Sequence, residues 1–164
     1  MDAVDRVRQA LEKAGLDPAL VRELPADTST AEAAARAVAA PVGSIVKSLI
    51  FLAEGEPLLI LVAGDQRADV KRLRAELGLS KRQLRIARPE EVLASTGFEV
   101  GGVAPLGHET PPRTLIDRSL GRFERLWAAA GSGHAVFPID YEQLVSVTGG
   151  EVMDVVEEGG ASGA

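Results

Sequence analysis

Ser44 to Ala53 reads Ser-Ile-Val-Lys-Ser-Leu-Ile-Phe-Leu-Ala and constrains the fold more than any other stretch of the chain. Both of its alternating faces are apolar, with Ile45, Leu49 and Phe51 on one and Val46, Ile50 and Leu52 on the other. In an extended chain this pattern predicts a central strand covered front and back. Lys47 falls in the middle of the first face. Taking an ammonium out of water is costly unless something pairs with it. Such a lysine either snorkels to an edge or is aimed into a polar cavity, and the second case is a site.

The flanking sequence supplies partners for that strand. Glu54-Gly55-Glu56-Pro57 separates it from the apolar run Leu58–Ala63, which predicts an antiparallel hairpin. Val4, Val7, Leu11 and Ala14 recur at helical spacing ahead of Gly15, and Glu32 begins an alanine-rich helix behind the cap candidates Asp27 to Thr30. Asp69 and Gly78 bracket a third helix, and Pro89 opens a fourth that stops at Gly97. Short strands are expected at Val21–Leu24, Leu84–Ala87, Thr114–Ile116, Arg122–Ala129, Ala135–Phe137 and Val152–Val156, with a helix capped by Asp140 before the last. Helices and strands mix without strict alternation. The expected fold is α+β: one domain over residues 1–158, a mixed, mostly antiparallel barrel-like sheet surrounded by helices, and a flexible tail at 159–164.

Composition limits the chemistry. The 164 residues include no cysteine, which removes disulfides, thiol nucleophiles and thiolate-bound metals. The two histidines, His108 and His134, stand without the local spacing of a zinc site, so no metal and no cofactor are expected. No apolar run reaches the roughly 18 residues of a membrane span, and the first residues lack the pattern of a signal peptide. A cytoplasmic location and no membrane partner are expected. The net charge of −6 argues against indiscriminate binding to DNA. That charge is polarised, however. Arg67, Lys71, Arg72, Arg74, Lys81, Arg82, Arg85 and Arg88 face only Asp69 and Glu76 in their segment, while acidic residues gather near Glu151 to Glu158. The basic segment reads either as a solvated helix face or as a surface for phosphates.

Two glycine-rich stretches stand out. In Gly101-Gly102-Val103-Ala104-Pro105-Leu106-Gly107, paired glycines permit close backbone approach, and their N–H groups can cradle an anion or oxyanion; the alternative is a tight connection. It matches neither a dinucleotide fingerprint nor a P-loop. Gly131-Ser132-Gly133-His134 lies between two strand-like segments, so a hairpin turn is expected there rather than a nucleophile elbow carrying Ser132.

Taken in order, these pieces resemble the YbaK/ProX aminoacyl-tRNA deacylases, a family that includes the editing domain inserted in bacterial prolyl-tRNA synthetases. The matching residues are Thr30 to Ala34, Ile45-Val46-Lys47-Ser48-Leu49, Gly64-Asp65, Asp69 to Leu73, Ser95 to Phe98 and Gly101 to Gly107. Leu115-Ile116-Asp117, the Gly131 to Gly133 turn and Leu144 to Val152 complete the match, which runs from about Val21 to Val156. The resemblance implies hydrolysis of the ester joining a mischarged small or medium amino acid to tRNA, with tRNA(Pro) or a related tRNA as the setting. It implies that Lys47 anchors the phosphate or ribose end and that the Gly101–Pro105 loop holds the ester carbonyl. Water assisted by the substrate's own ribose hydroxyl would be the nucleophile. Lys47 and Gly101 become the expected catalytic pair. Ser48, Gly102, Val103, Ala104, Pro105, Gly131, Ser132 and Gly133 are expected to bind substrate, and Arg67, Lys71, Arg72 and Arg74 to contact tRNA. Ser48 stands where the family motif can carry Thr. The chain resembles the free-standing members that act in trans, with an aminoacyl-tRNA synthetase as a further expected partner. The competing expectation is a non-catalytic module of the same fold that binds tRNA or a synthetase.

Overall fold

The computed structural model describes residues 1–158; the tail expected at 159–164 lies outside the described residues. The central strand forms as the sequence predicts. Strand β2 (Val46–Ala53) pairs antiparallel with β3 (Glu56–Ala63) along its whole length, from Val46 opposite Ala63 to Ala53 opposite Glu56. The turn is tighter than the expected loop: Glu54 and Gly55 alone make it, with φ of 52° and 84°. Positive φ at both central residues gives the primed turn whose twist suits a hairpin. Pro57 joins the strand because its position opposite Leu52 is one where no N–H is needed toward β2.

Around this hairpin the chain builds α1 (Ala3–Lys13), β1 (Arg22–Glu23), α2 (Ala31–Val38), α3 (Val70–Leu77), β4 (Leu84–Ile86) and α4 (Pro89–Thr96). It continues through β5 (Arg113–Asp117), β6 (Arg125–Ala129), β7 (Ala135–Asp140), α5 (Tyr141–Thr148) and β8 (Glu151–Met153). The strands divide into two sheets, ordered β4-β2-β3-β5-β8 and β1-β7-β6. Pairing is antiparallel except for β3 with β5 and β5 with β8. A single parallel bridge from Ile45 to Trp127 links the sheets, which gives the barrel-like character. The segment expected as one strand from Arg122 begins instead as a 3₁₀ turn, Arg118–Arg122. The buried Asp117 carboxylate caps that turn by accepting the Ser119 N–H (2.9 Å), and its other oxygen accepts the Val155 N–H (2.8 Å).

Each face of β2 packs against its own core. Phe51 and Leu49 join Leu58, Ile60, Leu73, Leu84 and Leu115 beneath α3, while Val46 and Ile50 join Val7, Leu11, Phe98 and Ile116 beneath α1 and α4. The cap residues act as read: Asp69 accepts the Arg72 N–H at 3.1 Å, Thr30 accepts the Ala33 N–H at 3.1 Å, and Gly78 closes α3 in the left-handed conformation. Each such N-cap is worth about 1 kcal/mol. Among the described residues no helix is long and apolar enough to cross a membrane.

Candidate active site

β4 covers only the last residues of β2, Phe51 to Ala53, and the Ala87 N–H then bonds the Ile50 carbonyl (2.9 Å). Strand alternation therefore turns the N–H and C=O of Ser48 toward the same edge, where no strand follows. A cavity of about 380 Å³ occupies this gap, between the first half of β2, the start of α2, the Val100–Val103 loop and β6.

Lys47 lines that cavity and is half-buried. Its ammonium donates to the Gln66 carbonyl in the turn after β3. Burial pushes its pKa below the ordinary lysine value; the charge of Glu32 opposes this, that of Arg67 adds to it, and that of Asp65 opposes it. Asp65 is itself clamped by the Arg122 guanidinium at 2.6 and 3.1 Å, which holds its carboxyl below the usual range.

The two glycine-rich stretches meet. The Gly131 N–H donates to the Gly102 carbonyl at 3.0 Å, and a methyl group on Gly102 would lie 2.7 Å from the Ser132 Cα. That contact excludes any side chain at position 102 without backbone movement. The Gly102 N–H is consumed by the Glu99 carbonyl at 2.9 Å, so it is not the free donor that a paired-glycine cradle would use. Gly101, at φ 92°, and Val103 both line the cavity, and their N–H groups bond no acceptor among the described residues.

Thr28-Ser29-Thr30 closes the same side. The Thr28 N–H and hydroxyl both reach the Gly133 carbonyl, at 2.6 and 3.1 Å, and the Ser29 side chain sits against Gly101 and Gly133. Trp127, almost fully buried with Ala34, Ile45 and Val136, also lines the cavity. Neither histidine lines the cavity. His108 is buried against Phe98 with its Nε2 2.6 Å from the Ala104 oxygen, and burial lowers its pKa. His134 places Nδ1 3.0 Å from the Ala26 oxygen, while its backbone N–H donates to the Ser132 hydroxyl at 3.1 Å. Ser132 thus has no imidazole acting on it. Among the described residues no three His, Asp or Glu side chains gather where they would hold a metal.

Residues 25–147 match the family model described as an aminoacyl-tRNA editing domain. The chain belongs to that family. An uncharacterized Bacillus subtilis protein, YwhH, is 36% identical to this editing domain over 125 residues, covering 76% of the chain and 78% of YwhH. The proline–tRNA ligase of Solidesulfovibrio magneticus is 37% identical over 91 residues, 56% of the chain; this match spans 15% of the ligase. A crystal structure assigned provisionally as a trans-editing enzyme for prolyl-tRNA synthetase superposes with a TM-score of 0.87 at 42% identity, covering 96% of this chain and 98% of that one.

Within the editing domain the expected site residues separate. Lys47, Ser48, Gly101 and Val103 converge on the cavity. Gly102 and the Gly131–Gly133 turn lie behind it, bracing one another. Ala104 is fully buried, and Pro105 lines a second cavity beside α1. The basic residues divide as well. Arg74 bonds the Leu84 carbonyl at 3.2 and 3.3 Å and Arg72 the Val156 carbonyl at 3.2 Å, so both tie α3 to its neighbours. Arg67 and Lys71 are exposed and enter no salt bridge among the described residues. Thr28, Ser29, Glu32 and Trp127 also line the cavity and were not among the residues expected there. The first three registered as helix-start residues, and Trp127 carried no signal beyond being the only tryptophan.

Proposed function

We propose that this editing domain hydrolyses the ester of mischarged aminoacyl-tRNA, as a separate chain acting in trans, on small or medium amino acids carried by tRNA(Pro) or a related tRNA. The observation that carries this reading is the convergence of Lys47, Gly101 and Val103 on one cavity in a chain of the editing family. The near end-to-end match to the provisionally assigned trans-editing enzyme supports action in trans.

In this reading the Lys47 ammonium holds the phosphate or ribose end of the terminal nucleotide. The N–H groups of Gly101 and Val103 receive the developing oxyanion, a type of preorganised donation that carries much of the rate in acyl transfer. Water, oriented with help from the neighbouring ribose hydroxyl, attacks the carbonyl carbon. The carbon–oxygen bond to the ribose then breaks, and the ribose oxygen takes the proton. An aminoacyl ester is already activated, so positioning and charge do most of the work. Size discrimination falls to the cavity wall, where one methylene is worth about 1–3 kcal/mol. Of the four cations expected to contact tRNA, Arg67 and Lys71 form no salt bridge among the described residues and would meet the tRNA backbone.

The test is a deacylation panel of alanyl-, seryl-, threonyl- and cysteinyl-tRNA(Pro) with wild-type protein and Lys47→Ala. Wild type is expected to release at least one amino acid, and Lys47→Ala to be slower by about 10²–10³-fold with its fold intact by circular dichroism. Tight tRNA binding without deacylation would instead establish a binding module.

A further inference from the structure

Two opposite charges stand on the cavity wall without pairing to each other. The Lys47 ammonium is held by the Gln66 carbonyl, and Asp65, the other acid whose charge acts on it, is taken by Arg122. Glu32 projects from the first turn of α2, lines the cavity, is exposed, and forms no salt bridge or side-chain hydrogen bond among the described residues. Both side chains line the cavity and the charge of Glu32 acts on Lys47, yet the two form no salt bridge. A carboxylate left free on the wall of a cavity that also holds a cation matches a ligand with its own separated charges.

An aminoacyl nucleotide ester is such a ligand. Its negative charges lie on the phosphates, and its positive charge lies on the α-amine, one carbon from the ester carbonyl. That amine is largely protonated near neutral pH. Taking the deacylase reading as its basis, we propose that Glu32 forms an ammonium subsite that receives the free α-amine of the aminoacyl ester. With the amine at Glu32 and the nucleotide end at Lys47, the carbonyl between them is fixed from both sides, beside Gly101 and Val103. An ester whose amine is acylated, as in a peptidyl ester, offers Glu32 only a neutral amide. The carboxylate then loses its solvent without gaining a charge partner, so the site rejects such esters. Glu32 is thus a positioning and specificity residue, and the reaction itself does not pass through it.

The experiment uses alanyl-, seryl- and threonyl-tRNA(Pro), each with its amine free and after N-acetylation, against wild type, Glu32→Gln and Glu32→Asp. For wild type, acetylation is expected to lower kcat/KM by about 10- to 100-fold, the range of a charge-assisted hydrogen bond. Glu32→Gln should lower kcat/KM on the free-amine ester by a similar factor, and combining it with acetylation should cost no more than either change alone. Glu32→Asp should recover part of the loss. Glu32 also favours the α2 dipole as a first-turn acid, but that role would slow both substrates alike. Equal losses on free and acetylated esters, or full activity of Glu32→Gln on the free-amine ester, overturn the subsite. Hydrolysis of none of the free-amine esters by wild type overturns the deacylase reading itself, which is a separate outcome.

Discussion

The two halves of β2 lie in one continuous strand and are paired differently. From Ile50 to Ala53 the strand is bonded on both edges, to β3 and to β4 with its continuation, and Phe51 is 2% exposed. From Lys47 to Leu49 it pairs only with β3, and its second edge opens on the cavity that Lys47 and Ser48 line. A strand edge left open in this way exposes polar backbone groups that a sheet normally consumes. The closed half stabilises the molecule. The open half gives up part of that stability and leaves a charged group and a free strand edge on the cavity.

Three substitutions probe that contrast, beginning at the closed end. Phe51→Ala empties a fully packed site between Leu58 and Leu84 and should cost about 3–5 kcal/mol in urea unfolding. Activity per folded molecule should be retained at low temperature. If the loss is under about 1 kcal/mol, the closed half is not the anchor described here.

Lys47→Met acts at the open end with the opposite sign. Because the folded pKa of Lys47 is lowered, chiefly by burial, the unfolded chain binds the extra proton more readily. The lysine therefore opposes folding at neutral pH. The opposition fades as pH rises from the lowered folded value toward about 10.4, the ordinary lysine pKa. Lys47→Met should be more stable than wild type at pH 7 by less than Phe51→Ala is destabilised, and that advantage should shrink in the alkaline window. Urea midpoints at pH 7 and pH 10 measure it; a gain that grows with pH contradicts the assignment.

Ser48→Ala should have the smallest effect. The Ser48 hydroxyl is buried without a hydrogen-bond partner among the described residues. Its removal should change the unfolding free energy by no more than about 1 kcal/mol, toward greater stability, since an unsatisfied buried hydroxyl is itself a cost. Marked destabilisation would show that the open edge depends on that hydroxyl.

What the sequence made legible follows from what periodicity reports. The two apolar faces of β2, the hairpin to β3, the Asp69 and Thr30 caps and the Gly78 stop are local patterns, and each recurs in the structure. That Lys47 needs a polar setting was legible because a charge in an apolar stripe needs an explanation, and the side chain lines a cavity. The rest depends on contacts between distant segments. Periodicity assigns a residue to a face and leaves its neighbour across space unspecified. Nothing local in Gly102 announces that it is pressed against Ser132, and nothing in Trp127 announces that it faces the start of α2. The division of the strands into two sheets was hidden for the same reason, since one bridge at Ile45 joins them. Arg72 and Arg74 show the converse. Their charge suggested a surface for nucleic acid, and their guanidinium groups also bond the backbone carbonyls of neighbouring segments.

Trp127 is the only tryptophan in the chain, and it lies in the cavity wall beneath the Arg22 guanidinium, 4.7 Å from the ring centroid. The protein therefore carries its own optical reporter at the place where a ligand would sit. With excitation at the red edge of the tryptophan band, where the one tyrosine, Tyr141, contributes little, a change in emission on adding an aminoacyl nucleotide reports on Trp127 alone. Occupancy of the cavity is thereby separable from turnover, in unlabelled protein and for variants that hydrolyse nothing.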